Sequence, residues 1–240
     1  MELILCKNYD EISERGANII ARAMIDKPDC ILGLATGSTP VGMYKRLIEM
    51  NRASWIDFSR TTTFNLDEYY PISPENSQSY RYFMNENLFN HVNIDKKNTY
   101  VPNGSAADAE AECKAYDAMI ENSRGIDIQV LGIGINGHIG FNEPDENLIT
   151  GTHLTALTDS TIEANARFFD SKDEVPRHAL TMGIGSIMRA RKIILLASGK
   201  NKHDAVMKLL DDKLTTGCPA TMLKLHPDVI LICDEDAYNG

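Results

Sequence analysis

The 240-residue sequence predicts an α/β fold: a mostly parallel sheet with helices on both faces, in one domain. Three observations carry that expectation. Two apolar runs read as inner strands of a parallel sheet: 126–131 lies between Gly125 and Gly132, and 192–197 breaks at Ser198-Gly199. Segments with apolar residues at helical spacing alternate with such runs along the whole chain. Apolar residues make up 43% of the total, enough for a sizeable core. Strand–helix–strand units of this kind cross over right-handedly.

In chain order, residues 2–6 read as the first strand. Asp10 is a candidate cap for the following helix, whose Ile12, Gly16, Ile19, Ile20, Ala23 and Met24 fall on one face. Residues 30–35 form the next strand and run into Thr36-Gly37-Ser38-Thr39-Pro40, with Thr39 as cap and Pro40 at the first helical position. Residues 61–66 are β-branched and aromatic, and form a strand that ends at Asp67. Helices are expected over 77–89 and 108–121, joined by a loop at 98–104, and their aromatic and Met stripes read as core. After the glycine-rich segment 132–144 come a candidate strand at 151–157 and a short helix at 160–169. The charged stretch that follows is a lid candidate. A strand at 192–197, a helix from about Asn201, a short helix at 219–225 and a last strand at 228–233 complete the chain, which then reads Asp234-Glu235-Asp236.

The chemistry concentrates in 132–144, Gly-Ile-Gly-Ile-Asn-Gly-His-Ile-Gly-Phe-Asn-Glu-Pro. Its glycines and Pro144 exclude a regular helix and permit sharp turns. Into this frame are set His138, Asn136 and Glu143. A partner on one imidazole nitrogen fixes the tautomer and leaves the other nitrogen for proton transfer. Asn136 and Glu143 are both candidates for that partner. The first six residues also match G-x-G-x-x-G, but a dinucleotide site needs a helix to open there, and no helical period follows.

Three other places carry candidate groups. The turn at Thr36, Gly37, Ser38 and Thr39 offers backbone N–H groups and hydroxyls to an anion, although a plain capped helix start uses the same residues. Asp67 stands at a strand's carboxyl end, where open parallel sheets bind ligands; with Glu68 it also fits a solvated loop. Lys200 and Lys202 oppose the dipole of the helix they open, which a bound anion or plain solvation would explain. Arg167 is either a phosphate ligand or a surface arginine. One carboxylate, one oriented His and several phosphate-type donors fit an aldose–ketose enzyme of sugar phosphates. One group moves a proton between C2 and C1, the other opens the ring, and neither cofactor nor metal is required. Lactone hydrolysis with a His base would use a similar kit.

The balance of 24 basic against 34 acidic residues, net −10, argues against nucleic acid or an anionic membrane as partner. Five cysteines without a C-x-x-C pair suggest reduced thiols and a cytoplasmic protein. The apolar start is followed at once by Lys7, Asp10 and Glu11, so no signal peptide or membrane span is expected.

Five stretches together resemble glucosamine-6-phosphate deaminases: Leu-Ala-Thr-Gly-Ser-Thr-Pro at 34–40, Asn-Leu-Asp-Glu-Tyr-Tyr at 65–70, the segment 132–144, Ala-Asn-Ala-Arg-Phe-Phe at 164–169 and Ser-Gly-Lys-Asn-Lys at 198–202. The resemblance spans the chain from the first strand to Pro227. It implies conversion of glucosamine 6-phosphate and water to fructose 6-phosphate and ammonia, on a modified Rossmann-like fold with a lid over about 158–179. By position, Asp67 resembles the base acting between C2 and C1, and His138 the ring-opening acid/base, with Glu143 and Asn136 orienting it. Gly37, Ser38, Arg167 and Lys202 resemble the phosphate ligands. Some members carry Asp where this chain has Asn136; an amide orients an imidazole but adds no charge, so the relay here leans on Glu143. A 6-phosphogluconolactonase and a sugar-phosphate sensor domain of a transcription regulator share the fold as alternatives. The hexameric branch of the family holds an effector, N-acetylglucosamine 6-phosphate, with basic residues at positions that fall on His153 and Thr155 here. That implies a non-allosteric monomer or small assembly.

Overall fold

The computed structural model describes residues 1–158, 162–163 and 174–240. Its centre is a seven-stranded sheet with the order β1-β10-β9-β6-β2-β3-β5, in which every neighbouring pair is parallel. The strands are β1 (Glu2–Cys6), β2 (Ile31–Leu34), β3 (Thr62–Asn65), β5 (Thr99–Tyr100), β6 (Ile128–Gly132), β9 (Lys192–Ala197) and β10 (Val229–Asp234). Alternate residues of each strand feed opposite cores, because successive side chains point to opposite faces. Leu32, Leu34, Val130, Ile194, Leu196, Ile230 and Ile232 pack with α1 (Tyr9–Asp26), α2 (Val41–Arg52) and Leu88 and Phe89. Ile31, Leu131, Ile193, Leu195, Val229 and Leu231 pack on the other face with Tyr116, Ile120, Val206, Leu209 and Leu223. Those partners belong to α4 (Ala109–Asn122), the helix His203–Leu210 and the 3-10 turn Pro219–Leu225. Both faces are therefore covered, as the alternating pattern predicts.

The strand expected at 151–157 forms, but in a second sheet whose other two strands the sequence does not foreshadow. β4 (Asp67–Tyr70), β8 (His178–Thr181) and β7 (His153–Ala156) pair antiparallel in the order β4-β8-β7. Asp67 lies just past the carboxyl end of β3, as expected, but it also opens a strand of its own, with Leu66 alone between the two. The Asp-Glu-Tyr-Tyr sequence is poor in strand formers at its start, and tertiary pairing with β8 overrides that preference. The stretch expected as a loop at 98–104 contains β5, an edge strand only two residues long.

Several local expectations change. Asn8, not Asp10, caps α1, its side chain accepting from Glu11 N. Thr39 caps nothing: α2 begins at Val41, with Pro40 beside it and no side-chain cap. The expected helix at 77–89 is α3 (Tyr80–Met84), continued by a wider π turn, Asn85–Phe89. The acidic run after the last strand is a helix start, with Asp234 capping Glu235–Asn239 through Ala237 N. Most of the expected lid, and Arg167 with it, lies outside the described residues; the last two positions of that range, His178 and Ala179, belong to β8. Among the described residues no helix is long and apolar enough to cross a membrane.

Candidate active site

All seven strands of the main sheet point the same way, so their carboxyl ends share one edge. Four neighbouring strands in the order β9-β6-β2-β3 deliver the candidate residues to it. The chain reverses its direction of growth between β6 and β2, the place where open α/β sheets bind ligands.

β6 leads into the loop that carries His138. Gly137 takes a left-handed φ of 86° and Gly140 one of 59°, which glycine adopts without a Cβ penalty. The N–H of Gly134 donates to His138 O over 2.9 Å, closing the loop on itself. No helix opens after the Gly-x-Gly-x-x-Gly match, so the dinucleotide reading fails on structure. The Nδ1–H of His138 donates to Glu143 Oε2 at 3.1 Å. Among the described residues Asn136 makes no hydrogen bond to the ring: its Nδ2 donates to the same Glu143 oxygen at 2.7 Å, and its Oδ1 accepts from His138 N at 3.2 Å. Of the two candidate partners, Glu143 orients the imidazole and Asn136 orients Glu143. With Nδ1 carrying the proton, Nε2 is the free base. Gly134 flanks the ring so closely that a Cβ there would lie 2.5 Å from it.

Asp67 faces the same loop. A Cβ on Gly140 would stand 3.6 Å from Asp67 Oδ2. The carboxylate is buried and, among the described residues, accepts no hydrogen bond. Burial first, and the neighbouring Glu68 charge second, push its pKa up to about 8. Glu68 is buried too, but it accepts from Tyr69 N, Tyr80 N and Arg81 N at 2.9, 2.7 and 2.9 Å. Burial raises its pKa to about 7 against the pull of those three amides. Glu68 therefore fastens β4 to the start of α3, and the solvated-loop reading of both acids fails.

The turn expected to hold an anion follows β2. Gly37 has φ of 88° with open space beside it. Tyr9 of α1 pins the turn, its hydroxyl donating to Ser38 O at 2.9 Å and accepting from Gly42 N at 2.8 Å. Beyond β9, Gly199 N and Ser198 Oγ donate to Asp234, fixing the turn that presents Lys202. Lys202 is half-buried, has no carboxylate partner among the described residues, and burial alone lowers its pKa. Tyr9, Asp234, Thr181 and Asn142 are the supporting residues that the sequence did not reveal. An acid at a strand end followed by a helix start was the one available signal, at Asp234. Among the described residues, no three His, Cys, Asp or Glu side chains are grouped to hold a metal ion.

Residues 7–231 match the model of the family described as glucosamine-6-phosphate isomerases/6-phosphogluconolactonase. A glucosamine-6-phosphate deaminase of Clostridium perfringens is 60% identical over 237 residues, covering 99% of this chain and 98% of the relative. A solved monomeric glucosamine-6-phosphate deaminase superposes with a TM-score of 0.96 at 44% identity, over 99% of this chain and 98% of that one. A 6-phosphogluconolactonase of Thermotoga maritima shares the fold with a TM-score of 0.76 at 20% identity, over 98% of this chain and 99% of that one. The chain belongs to the glucosamine-6-phosphate isomerase/6-phosphogluconolactonase family.

Proposed function

We propose that this protein converts glucosamine 6-phosphate and water to fructose 6-phosphate and ammonia. The observation that carries the reading is the buried Asp67 carboxylate, without a partner among the described residues, set against the loop of the His138–Glu143 pair. His138 Nε2 moves the proton that opens the pyranose, while Glu143 holds Nδ1–H and stabilises the imidazolium as it forms. Asp67 takes the proton from C2 and returns it at C1. The enolamine so formed becomes a C2 imine, which water hydrolyses to the ketone and ammonia. A protonated C2 amine beside Asp67 favours its ionised form, which prepares the base when substrate arrives.

Gly37, Ser38 and Lys202 hold the phosphate, with Thr36 and Thr39 completing the turn and Arg167 a further phosphate ligand by family resemblance. The family resemblance supports these roles, and so does Lys202, which has no carboxylate partner among the described residues. The lactonase alternative lacks a task for Asp67, because lactone hydrolysis moves no proton between carbons. Its solved relatives are alike in fold alone. A sensor domain has no use for a base held at high proton affinity.

The protein works in the cytoplasm as a monomer without allosteric control. Its five cysteines are free and buried, which suits a reducing compartment. Among the described residues, the side chains of His153 and Thr155, where effector-binding members carry basic residues, bond to backbone carbonyls. Ammonia release from glucosamine 6-phosphate, with 6-phosphogluconolactone as control, tests the reading. Release from the amino sugar alone is expected; hydrolysis of the lactone instead would overturn it.

A further inference from the structure

The two catalytic groups come from different strands, so something must hold them in register. The β4–β8 pairing places Thr181 directly opposite Asp67. The Thr181 hydroxyl in turn accepts from Phe141 N, in the His138 loop, at 3.1 Å. One residue on, Met182 N donates to Leu66 O at 2.7 Å, immediately before Asp67. Met182 O accepts from Asn142 Nδ2 at 2.8 Å, and the same amide donates to Ile139 O at 2.9 Å. Thr181 and Met182 are wholly buried and Asn142 is 4% exposed, so water does not replace these bonds. Gly140 is wedged inside this clamp: a Cβ there would lie 2.9 Å from Thr181 Oγ1 and 3.6 Å from Asp67 Oδ2.

We infer that Thr181 and Asn142 are positioning residues for the proposed deamination, which together set the spacing between the Asp67 carboxylate and the His138–Glu143 pair. Neither is placed to touch the phosphate, whose cradle follows β2 and β9. Their loss should therefore slow chemistry and spare binding. A misplacement of about 1 Å at a reacting group costs on the order of 100-fold in rate. The inference rests on the deaminase reading, and its failure is separable from that reading's failure.

The test compares the wild-type chain with Thr181→Val, Thr181→Ser and Asn142→Leu. Steady-state ammonia release gives kcat and KM, and calorimetry gives fructose 6-phosphate affinity. Thr181→Val, which keeps the shape and removes the acceptor, should lower kcat by about 10- to 100-fold. KM and fructose 6-phosphate affinity should stay within about twofold, and Thr181→Ser should recover most of the rate, since it restores the oxygen. Asn142→Leu should show the same split, and it decides the matter if Thr181→Val does not fold. Because both residues hold one loop, the double variant should lose less than the product of the single losses. Unslowed turnover in either folded variant overturns the inference, as does a serine variant as slow as the valine one. A wild-type chain that releases no ammonia would remove the deaminase reading itself.

Discussion

Asp127, largely shielded, and Asp67, buried, are acids that each stand beside a strand of the main sheet, at opposite edges of it, and their surroundings could hardly differ more. Asp127 stands before β6 at the amino edge. Lys27 Nζ donates to both its oxygens at 2.8 and 2.7 Å, Ile31 N donates at 2.8 Å, and Arg191 Nη1 at 2.9 Å. Asp67, at the carboxyl edge, receives none of this among the described residues and has its pKa pushed up to about 8 by burial. The same asymmetry holds for cations: Lys192 pairs with Asp228 at 2.7 Å at the amino edge, while Lys202 has no carboxylate partner among the described residues at the other. Charges that stabilise a fold are paired within it. Ionisable groups left unpaired and shielded from water cost stability when charged, and they persist where a ligand supplies the missing partner.

Replacing each acid by its amide should break the comparison in opposite directions. Asp67→Asn should abolish turnover while leaving sugar-phosphate binding largely intact. It should also stabilise the fold in alkaline solution. The folded pKa of Asp67, about 8, lies above its unfolded value, so the stability linked to this group is full below the unfolded pKa and is lost as pH rises towards 8. Thermal melts at pH 9 should favour the variant by at least about 1 kcal/mol. Asp127→Asn should do the reverse, costing about 1–3 kcal/mol of stability in urea melts with kcat and KM unchanged. For the wild type, kcat/KM should rise with pH through the ionisation of the Asp67–Glu68 pair, an apparent value belonging to both acids.

His138→Gln should slow turnover by about 100- to 10,000-fold on the closed pyranose, and an open-chain analogue should recover part of the loss. Equal losses on both substrates would assign His138 another task. Lys202→Ala and Arg167→Ala should act mainly on KM, by about 1.5–3 kcal/mol each. Unchanged KM in both would move the phosphate elsewhere. The smallest expected effect is none: N-acetylglucosamine 6-phosphate should leave a hyperbolic saturation curve as it is, and light scattering should give a monomer. An effector shifts an equilibrium only by binding two states differently, and His153 and Thr155 lack the permanent charge with which Arg or Lys holds a phosphate dianion. A sigmoidal curve made hyperbolic by the acetylated sugar would show a site built from other residues.

What could be read in the sequence follows from distance along the chain. Asn136, His138 and Glu143 lie within eight residues, so their cooperation was visible, though not that Glu143 holds the ring while Asn136 holds Glu143. The main sheet was visible because its inner strands are apolar on both faces. Of the β4-β8-β7 sheet only β7 was visible; the β4–β8 pairing was hidden, because β4 begins with two acids and its partner lies over a hundred residues away. The burial of Asp67 follows from that pairing and was hidden with it. Caps were legible in kind more than in place: Asn8 and Asp234 are ordinary N-cap residues, yet neighbouring acids at Asp10 and Glu235 fit the same pattern.

Proton transfer between C1 and C2 by Asp67 is the central claim, and isotope exchange reads it without reference to ammonia release. Fructose 6-phosphate and ammonia are incubated with the protein in deuterium oxide, and deuterium at C1 of fructose 6-phosphate and C2 of the glucosamine 6-phosphate formed is followed by NMR. Wild-type protein should exchange, and Asp67→Asn should not, although it still binds the sugar phosphate. Exchange at the wild-type rate in Asp67→Asn would show that another group carries the proton, and that the buried carboxylate is not the base.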